Sequence, residues 1–498
     1  MTSNTGNEFL RQIFDIILNE EKIVGNENFI KDNHKNIVDF KHPKELENIL
    51  ELTIGDNSES DGRLIDICRK VIRHSIKTCH PNFYNQLYGG AEQYALSGAF
   101  ITDALNTSAA TYEISPVFSV IEKYLIKYLG QLVGYDYESI DGMFAPGGSS
   151  ANMYAMVLAR QHAFPDSKRH GVRELGQLVM FASEESHYSF VKSAIWLGLG
   201  TDSVIKVKAD LSGHMRAADL RDSIKSAKID GKVPFMVAAT AGTTVLGAFD
   251  PLGELADVCR EFGDLWFHVD AALGGGWLFS PTHGPRLLAD IERANSVTWD
   301  LHKLTCTPQQ CNVILTRHPT ILYETNSLRA EYLFQSDKYY DDSYDSGDKS
   351  IQCGRKSDTL KLWLQLKAYG GHGMAALIDN VYDMAIYITE KLRQRPGFRL
   401  VMDKFESNLV SFWYIPPLMR SSINGQELPP PDKLSKVAPL IKRRMMDCGS
   451  LMIGYQPLTT KQLPNFFRLS LTCLPKRTVQ DMDFILDEIE RLAEDINF

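Results

Sequence analysis

Two rhythms of apolar and polar positions alternate along residues 178–316. Short runs rich in β-branched and aromatic residues recur at Val179–Ala182, Val204–Val207, Phe235–Thr240, Trp266–Val269, Ser296–Trp299 and Val313–Leu315. Stretches of helical spacing separate them, for example Leu252–Phe262 after Asp250-Pro251. This alternation predicts an α/β domain around a mainly parallel or mixed sheet. Active sites of such sheets gather at the carboxyl ends of the strands. Upstream, Gly142 to Ala159 reads as a strand, a glycine turn with hydroxyls, and a helix. Pro116 opens a helix to Val133, where its missing N–H costs nothing. Residues 80–90 read as a turn-rich loop.

The flanks have a different texture. Residues 1–80 read as mostly helical, with an apolar stripe at Phe9, Leu10, Ile13, Ile16 and Ile17. The polar stretch Asn26–Ser58 holds one short helix near Leu46–Leu52. We expect this segment to form an N-terminal arm. Tyr332 to Asp348 is charged and tyrosine-rich, which predicts a long exposed loop. A helix follows near Thr359–Tyr369, and the pattern restarts at Ala375. Strands are predicted at Phe398–Val401, Leu409–Tyr414, Leu451–Tyr455 and Phe466–Leu471, with helices at Leu434–Cys448 and Val479–Leu492. The expected partition is an arm over 1–80, a large domain over 81–374 and a smaller α/β domain over 375–498.

Composition narrows the class. The 498 residues are 44% hydrophobic and 23% charged, with a net charge of −9. An acidic chain of this kind lacks the basic footprint of a nucleic-acid binder. No apolar run reaches membrane-span length, and no secretory signal pattern opens the chain. The eight cysteines are scattered without a C-x-x-C pair, so a reduced, cytoplasmic protein is expected.

Chemistry collects at the predicted strand ends. Lys303 follows the run Ser296–Trp299 within Asp300-Leu301-His302-Lys303. A lysine on a turn is ordinarily a surface group; one that is partly buried can instead form a Schiff base. His268-Val-Asp270-Ala-Ala272 ends another strand. Alternation puts His268 and Asp270 on one face. An H-x-D pair can ligate a metal, but no companion ligand stands at a fitting spacing. The other reading of Asp270 is a buried carboxylate that keeps a heterocyclic nitrogen protonated. Thirty-three residues separate Asp270 from Lys303, room for one helical crossover to an adjacent strand. Gly147-Gly148-Ser149-Ser150 opens a helix, where backbone N–H groups favour anions; an ordinary helix cap is the alternative. His187 follows the strand Val179–Ala182, and Thr240-Ala-Gly-Thr243-Thr244 brings hydroxyls to a further strand end.

Taken together, Ala145-Pro-Gly-Gly-Ser-Ser-Ala-Asn-Met-Tyr-Ala, Ser186-His-Tyr-Ser, Ala239-Thr-Ala-Gly-Thr-Thr-Val-Leu-Gly-Ala-Phe-Asp, His268-Val-Asp-Ala-Ala and His302-Lys303 resemble the group II pyridoxal phosphate (PLP)-dependent amino-acid decarboxylases. The resemblance runs from about residue 75 to the C-terminus. It is strongest to the acidic-amino-acid branch of glutamate, cysteine sulfinate and insect aspartate 1-decarboxylases. It implies the α/β fold type I architecture and a homodimer with shared active sites. It implies Lys303 as the cofactor lysine, Asp270 as the pyridinium partner, and His187 and Ala272 against the two ring faces. Ser149, Ser150, Thr243 and His302 are implied around the phosphate, and Cys353-Gly354-Arg355 as a contribution from the partner subunit. Tyr340, beside Tyr339, maps to the family's proton-donating loop tyrosine.

The resemblance also implies the substrate's surroundings: Gln86, Tyr88, Asn106, Gln309 and Arg468. A distal acid needs a cation that does not pair with the departing carboxylate, and arginine suits it. Tyr88 stands where glutamate enzymes have a small residue, and Gln309 where they have leucine; the aspartate enzyme has glutamine there. Both point to a shorter acid, aspartate or cysteine sulfinate, with glutamate as the alternative. Two departures from the family pattern stand out. Asp300-Leu301 replaces Asn-Pro, which places negative charge near Lys303 and the phosphate, and Leu273 replaces a tryptophan. A different class also fits the fold: a PLP-binding protein with little decarboxylase activity, or an aminotransferase.

Overall fold

A computed structural model describes residues 5–20, 23–24, 36–335, 337–420 and 428–498. Residues 1–4 of the predicted arm and residues 26–35 of its polar stretch lie outside the described residues, and the stripe from Phe9 to Ile17 falls on the helical segment 5–20. The chain divides into two compact units. One comprises residues 94–382 with 404–409; the other comprises 1–93, 383–403 and 410–498. The N-terminal segment therefore groups with the C-terminal residues rather than standing as a separate arm.

The larger unit is built on seven strands: β2 (Asp141–Phe144), β3 (Leu178–Ser183), β4 (Val204–Val207), β5 (Val233–Thr240), β6 (Trp266–Asp270), β7 (Ser296–Asp300) and β8 (Asn312–Thr316), β1 lying in the other unit. Their spatial order is β2-β8-β7-β6-β5-β3-β4. Only β8 runs against the rest; the pairs β7/β6, β6/β5, β5/β3 and β3/β4 are parallel. Continuous burial explains the unbroken apolar runs, since both faces of a parallel sheet are covered. Helix Gly148–Ala163 packs Tyr154, Met156 and Leu158 with Met180, Phe235, Trp266 and Ile314 in one buried cluster. The carboxyl ends of β2, β3, β5, β6 and β7 consequently share one edge. Register sets the fine geometry there: His268 lies beside Ser296, and Asp270 beside Thr298.

The crossover from β6 to β7 is not one helix. It consists of three short turns, Gly274–Phe279, Gly284–Leu287 and Ile291–Arg293. Close packing dictates this: a Cβ on Gly275 would lie 2.5 Å from the Trp299 ring. The predicted helix at Thr359 ends at Gly370, whose φ of 60° and ψ of −178° are non-helical and suit glycine, and a second helix runs on to Gln394.

The second unit holds a five-stranded sheet in the order β1-β11-β12-β10-β9. These strands are β1 (Phe83–Tyr84), β9 (Phe398–Leu400), β10 (Leu409–Tyr414), β11 (Met452–Leu458) and β12 (Leu463–Ser470). The turn-rich reading of residues 80–90 missed β1, which pairs parallel with β11. Two residues cannot display a period, yet both side chains are buried. The final helix, Val479–Leu492, starts with a reciprocal capping box between Thr478 and Asp481. Ile37 is buried and its N–H donates to Gly449 O at 2.8 Å.

The stretch 332–348 is less exposed than its polarity predicts. Asp345 and Asp348 are buried. Each is satisfied locally: Tyr112 N donates to Asp345 at 2.8 Å, and Leu328 N and Arg329 N both donate to Asp348 at 3.1 Å. Backbone donors let a carboxylate enter the interior without an apolar sequence around it.

Candidate active site

Asp270, the last residue of β6, is buried. Asn152 Nδ2 donates to its Oδ2 at 2.8 Å, and Ala272 N donates to its Oδ1 at 3.1 Å. Among the described residues it has no ion-pair partner. A chain of buried groups stands behind it. Trp266 Nε1 donates to Ser296 Oγ at 2.9 Å, and Ser296 Oγ lies 2.8 Å from His268 Nδ1. His268 Nε2 lies 3.1 Å from Asn152 Oδ1. An amide oxygen only accepts, so His268 carries its proton on Nε2 and accepts from Ser296. Burial pushes this imidazole down to about 4, so it stays neutral. The Asn152 amide is thereby fixed with its Nδ2 toward Asp270 and toward Ser189 Oγ at 2.9 Å. His268 is a structural relay, which disposes of the metal reading for this residue. Sequence reading gave Asn152 no role. The available signal was an amide set among Ala151, Tyr154 and Ala155 on a buried helix face.

Lys303 lies three residues beyond β7, with its side chain 21% exposed. Its Nζ is 2.9 Å from Asp300 Oδ2. Asp300 is buried and also accepts from Asn312 Nδ2. His187 is partly buried at the end of β3; its Nδ1 accepts from Ser189 N at 3.3 Å. Burial holds its pKa below the ordinary value, with Asp270 pulling up and Lys303 pushing down. Lys303, Asp270, Asp300 and His187 are thus brought into one neighbourhood by the carboxyl ends of the adjacent strands β6 and β7, the loop after β7, and the end of β3, which β5 separates from β6.

The turn before helix Gly148–Ala163 has Gly147 at φ 90°, a conformation that favours glycine. Ser149 is exposed, and Ser150 Oγ donates to Pro146 O at 3.2 Å. The first N–H groups of the helix face the same strand edge and form an anion cradle. His302 is buried, with Nδ1 2.9 Å from Cys311 O. Ala272 is buried. Thr243 is also buried, but its Oγ1 accepts from Ala248 N at 3.0 Å and closes a turn. These donors fit a pyridine cofactor bearing an aldehyde and a phosphate: an amine, a carboxylate held ready for a ring N–H, and helix-start amides.

Other expected residues sit elsewhere. The Tyr340 hydroxyl donates to Asp345 at 3.1 Å and accepts from Glu113 N at 3.3 Å, with its ring 4.9 Å from Tyr112. Asp345 therefore holds the hydroxyl; Tyr339 is exposed. Gly354 is exposed, but Arg355 is buried in its own chain, paired with Glu122 and donating to Phe144 O at 3.0 Å. The expectation that Arg355 reaches a partner's site is corrected by that buried ion pair. Asn106 has φ 46° after the helix Gln93–Leu105 and is exposed. Gln309 is exposed on a loop that Lys361 Nζ holds through Pro308 O at 3.2 Å.

Gln86, Tyr88 and Arg468 belong to the other unit. Arg468, on β12, is buried, and Nη2 donates to Asn85 O at 3.2 Å. Burial pushes its guanidinium down to about 10. Lys442 Nζ donates to Asn85 Oδ1 at 2.7 Å, and burial pushes it down to about 7. Two cations thus grip the residue before Gln86, and sequence reading missed Lys442. Gln86 itself is exposed, and the Tyr88 ring lies 6.3 Å from Phe83.

Comparison with known proteins identifies the family and the fold. The pyridoxal-dependent decarboxylase conserved domain matches residues 43–415. The chain is 47% identical over 494 residues to cysteine sulfinic acid decarboxylase of Homo sapiens, covering 98% of this chain and 96% of the relative. It is 44% identical over 495 residues to acidic amino acid decarboxylase GADL1 of Xenopus tropicalis, covering 99% and 94%. The crystal structure of mouse CSAD superposes with a TM-score of 0.92 at 45% identity, covering 99% of this chain and 100% of that one. The fold is that of the PLP-dependent decarboxylases, and the cofactor is pyridoxal phosphate. With these motifs, this fold and this degree of identity, the chain belongs to the pyridoxal-dependent decarboxylase family.

Proposed function

We propose that the protein removes the α-carboxylate of a short acidic amino acid, converting aspartate to β-alanine or cysteine sulfinate to hypotaurine. The observation that carries this reading is the pairing of a buried carboxylate, Asp270, with a half-shielded amine, Lys303, at neighbouring strand ends. PLP, when bound, supplies an electron sink for the pair left behind as CO2 departs. Lys303 would hold it covalently, and Asp270 would keep its ring nitrogen protonated. His187 and Ala272 would bracket the ring, and Ser149, Ser150, Thr243 and His302 would hold the phosphate with Gly354 of a second subunit. A fixed carboxylate aimed at developing charge costs no reorganisation during reaction.

Arg468 would bind the distal acid of the substrate, with Gln86, Tyr88, Asn106 and Gln309 shaping its surroundings. Desolvation strengthens a guanidinium–carboxylate pair. The aromatic Tyr88 and the names carried by the relatives favour the shorter acids. Tyr340 would return a proton to the α-carbon, which requires its hydroxyl to leave Asp345. An exposed apolar stripe, Val117, Val120 and Tyr124 on the helix Pro116–Val133, with Ile101 and Leu105 on Gln93–Leu105, supports a homodimer. Among the described residues no helix is long and apolar enough to cross a membrane, in keeping with a cytoplasmic enzyme.

The test is direct. Purified holoenzyme is given aspartate, cysteine sulfinate and glutamate separately, and CO2 and amine are quantified. Faster turnover of either short acid supports the reading; fastest turnover of glutamate overturns the inference from Tyr88 and Gln309. Arg468→Met should raise KM for the acid at least about 10-fold, since a buried charged hydrogen bond is lost.

A further inference from the structure

We propose that Asp300 is a positioning residue that holds Lys303 and competes with the cofactor's phosphate, so that PLP is bound reversibly and exchanges readily. The inference rests on the reading of Lys303 as the cofactor lysine.

Three facts place the carboxylate. Asp300 Oδ2 is 2.9 Å from Lys303 Nζ, and the Asp300 side chain is only 4% exposed. Asn312 Nδ2 donates to Oδ1 and fixes the group's rotation. A Cβ built on Gly148, the first residue of the helix Gly148–Ala163, would lie 2.8 Å from Oδ2 and 3.0 Å from Oδ1. The carboxylate therefore lies against the first residue of that helix, near the end whose partial positive charge draws anions. A larger residue at Gly148 would force the carboxylate to shift.

Two consequences follow. A phosphate drawn to the same amides meets a like charge at short range in a poorly hydrated place, which weakens its binding. The carboxylate is itself neutralised by the Lys303 ammonium. Covalent attachment of the cofactor removes that ammonium's role as counter-ion, so attachment and phosphate binding both raise the cost of keeping Asp300 charged. An asparagine of the same shape would keep the link to Asn312 and donate to the phosphate instead of repelling it.

The experiment compares wild type with Asp300→Asn. Apoprotein of each is titrated with PLP and, separately, with pyridoxal, which lacks the phosphate, and Kd is read from tryptophan fluorescence. Borohydride reduction and peptide mass identify the attached lysine in each sample, and thermal melts confirm equal folding. The expected result is that D300N binds PLP at least 10-fold more tightly and releases it more slowly, while its affinity for pyridoxal changes by less than 3-fold. Equal PLP affinity in the two proteins overturns the proposal, as does an equal gain for PLP and pyridoxal. Absence of label at Lys303 in wild type overturns the underlying reading of the site instead. Asp300→Ser, which removes the charge without the shape, should also tighten PLP; if it weakens PLP in step with D300N, the carboxylate is a supporting group and the proposal fails.

Discussion

Two buried carboxylates end adjacent strands, and they are held in opposite ways. Asp270, on β6, is held by neutral donors alone, the Asn152 amide and the Ala272 N–H. Asp300, on β7, is held by the Lys303 ammonium together with the Asn312 amide. A buried charge without a cation is expensive. Asp270 is thus poised to receive a positive group from outside the chain, whereas Asp300 already has its counter-ion within it. On the proposed function, one carboxylate would engage a ligand and the other would stabilise the amine that the ligand must claim.

This contrast can be broken by experiment. Lys303→Ala should give the largest effect, a loss of turnover of at least about 1000-fold in CO2 release, because no other amine replaces a covalent group. Asp270→Asn should lower the single-turnover rate by about 100-fold or more, and Asp300→Asn, which loosens Lys303 but leaves Asp270 in place, by less than about 10-fold. Equal losses would show the two carboxylates to be equivalent. Asn152→Leu strands Asp270 Oδ2 and leaves His268 Nε2 with only Thr298 Oγ1 at 3.4 Å, and should cost about 2–4 kcal/mol in denaturant unfolding. A smaller response concerns pH. The neutral form of His268 is favoured by burial, which pushes it down to about 4. The unfolded chain takes up this proton near 6.5 and the folded one only near 4, so His268 makes stability fall as pH drops through that window. Melting followed from pH 7 to pH 4 should show a slope that His268→Gln reduces.

The strands of the larger unit were legible because full burial leaves uninterrupted apolar runs, as at Phe235–Thr240. Lys303 and Asp270 stood out in the sequence because charge at the end of such a run is costly unless used. What stayed hidden depends on distant pairing. The relay from Trp266 through Ser296 and His268 to Asn152 exists only once β6 and β7 lie in register. Strand β1 is too short to show alternation. The burial of Asp345 rests on Tyr112 N together with the Lys338 ammonium and the Tyr340 hydroxyl, an arrangement that side-chain polarity alone does not reveal. The end of the helix near Thr359–Tyr369 was legible as well, since the backbone at Gly370 is non-helical and a second helix follows.

The His268 relay has a use as a reporter. Its Nε2 proton is sealed from water and lies one amide away from Asp270. Such a proton should exchange slowly and resonate apart from the bulk imidazole signals. Its chemical shift should move when Asp270 gains a cationic partner, so one nuclear resonance could follow cofactor loading in solution without any turnover at all.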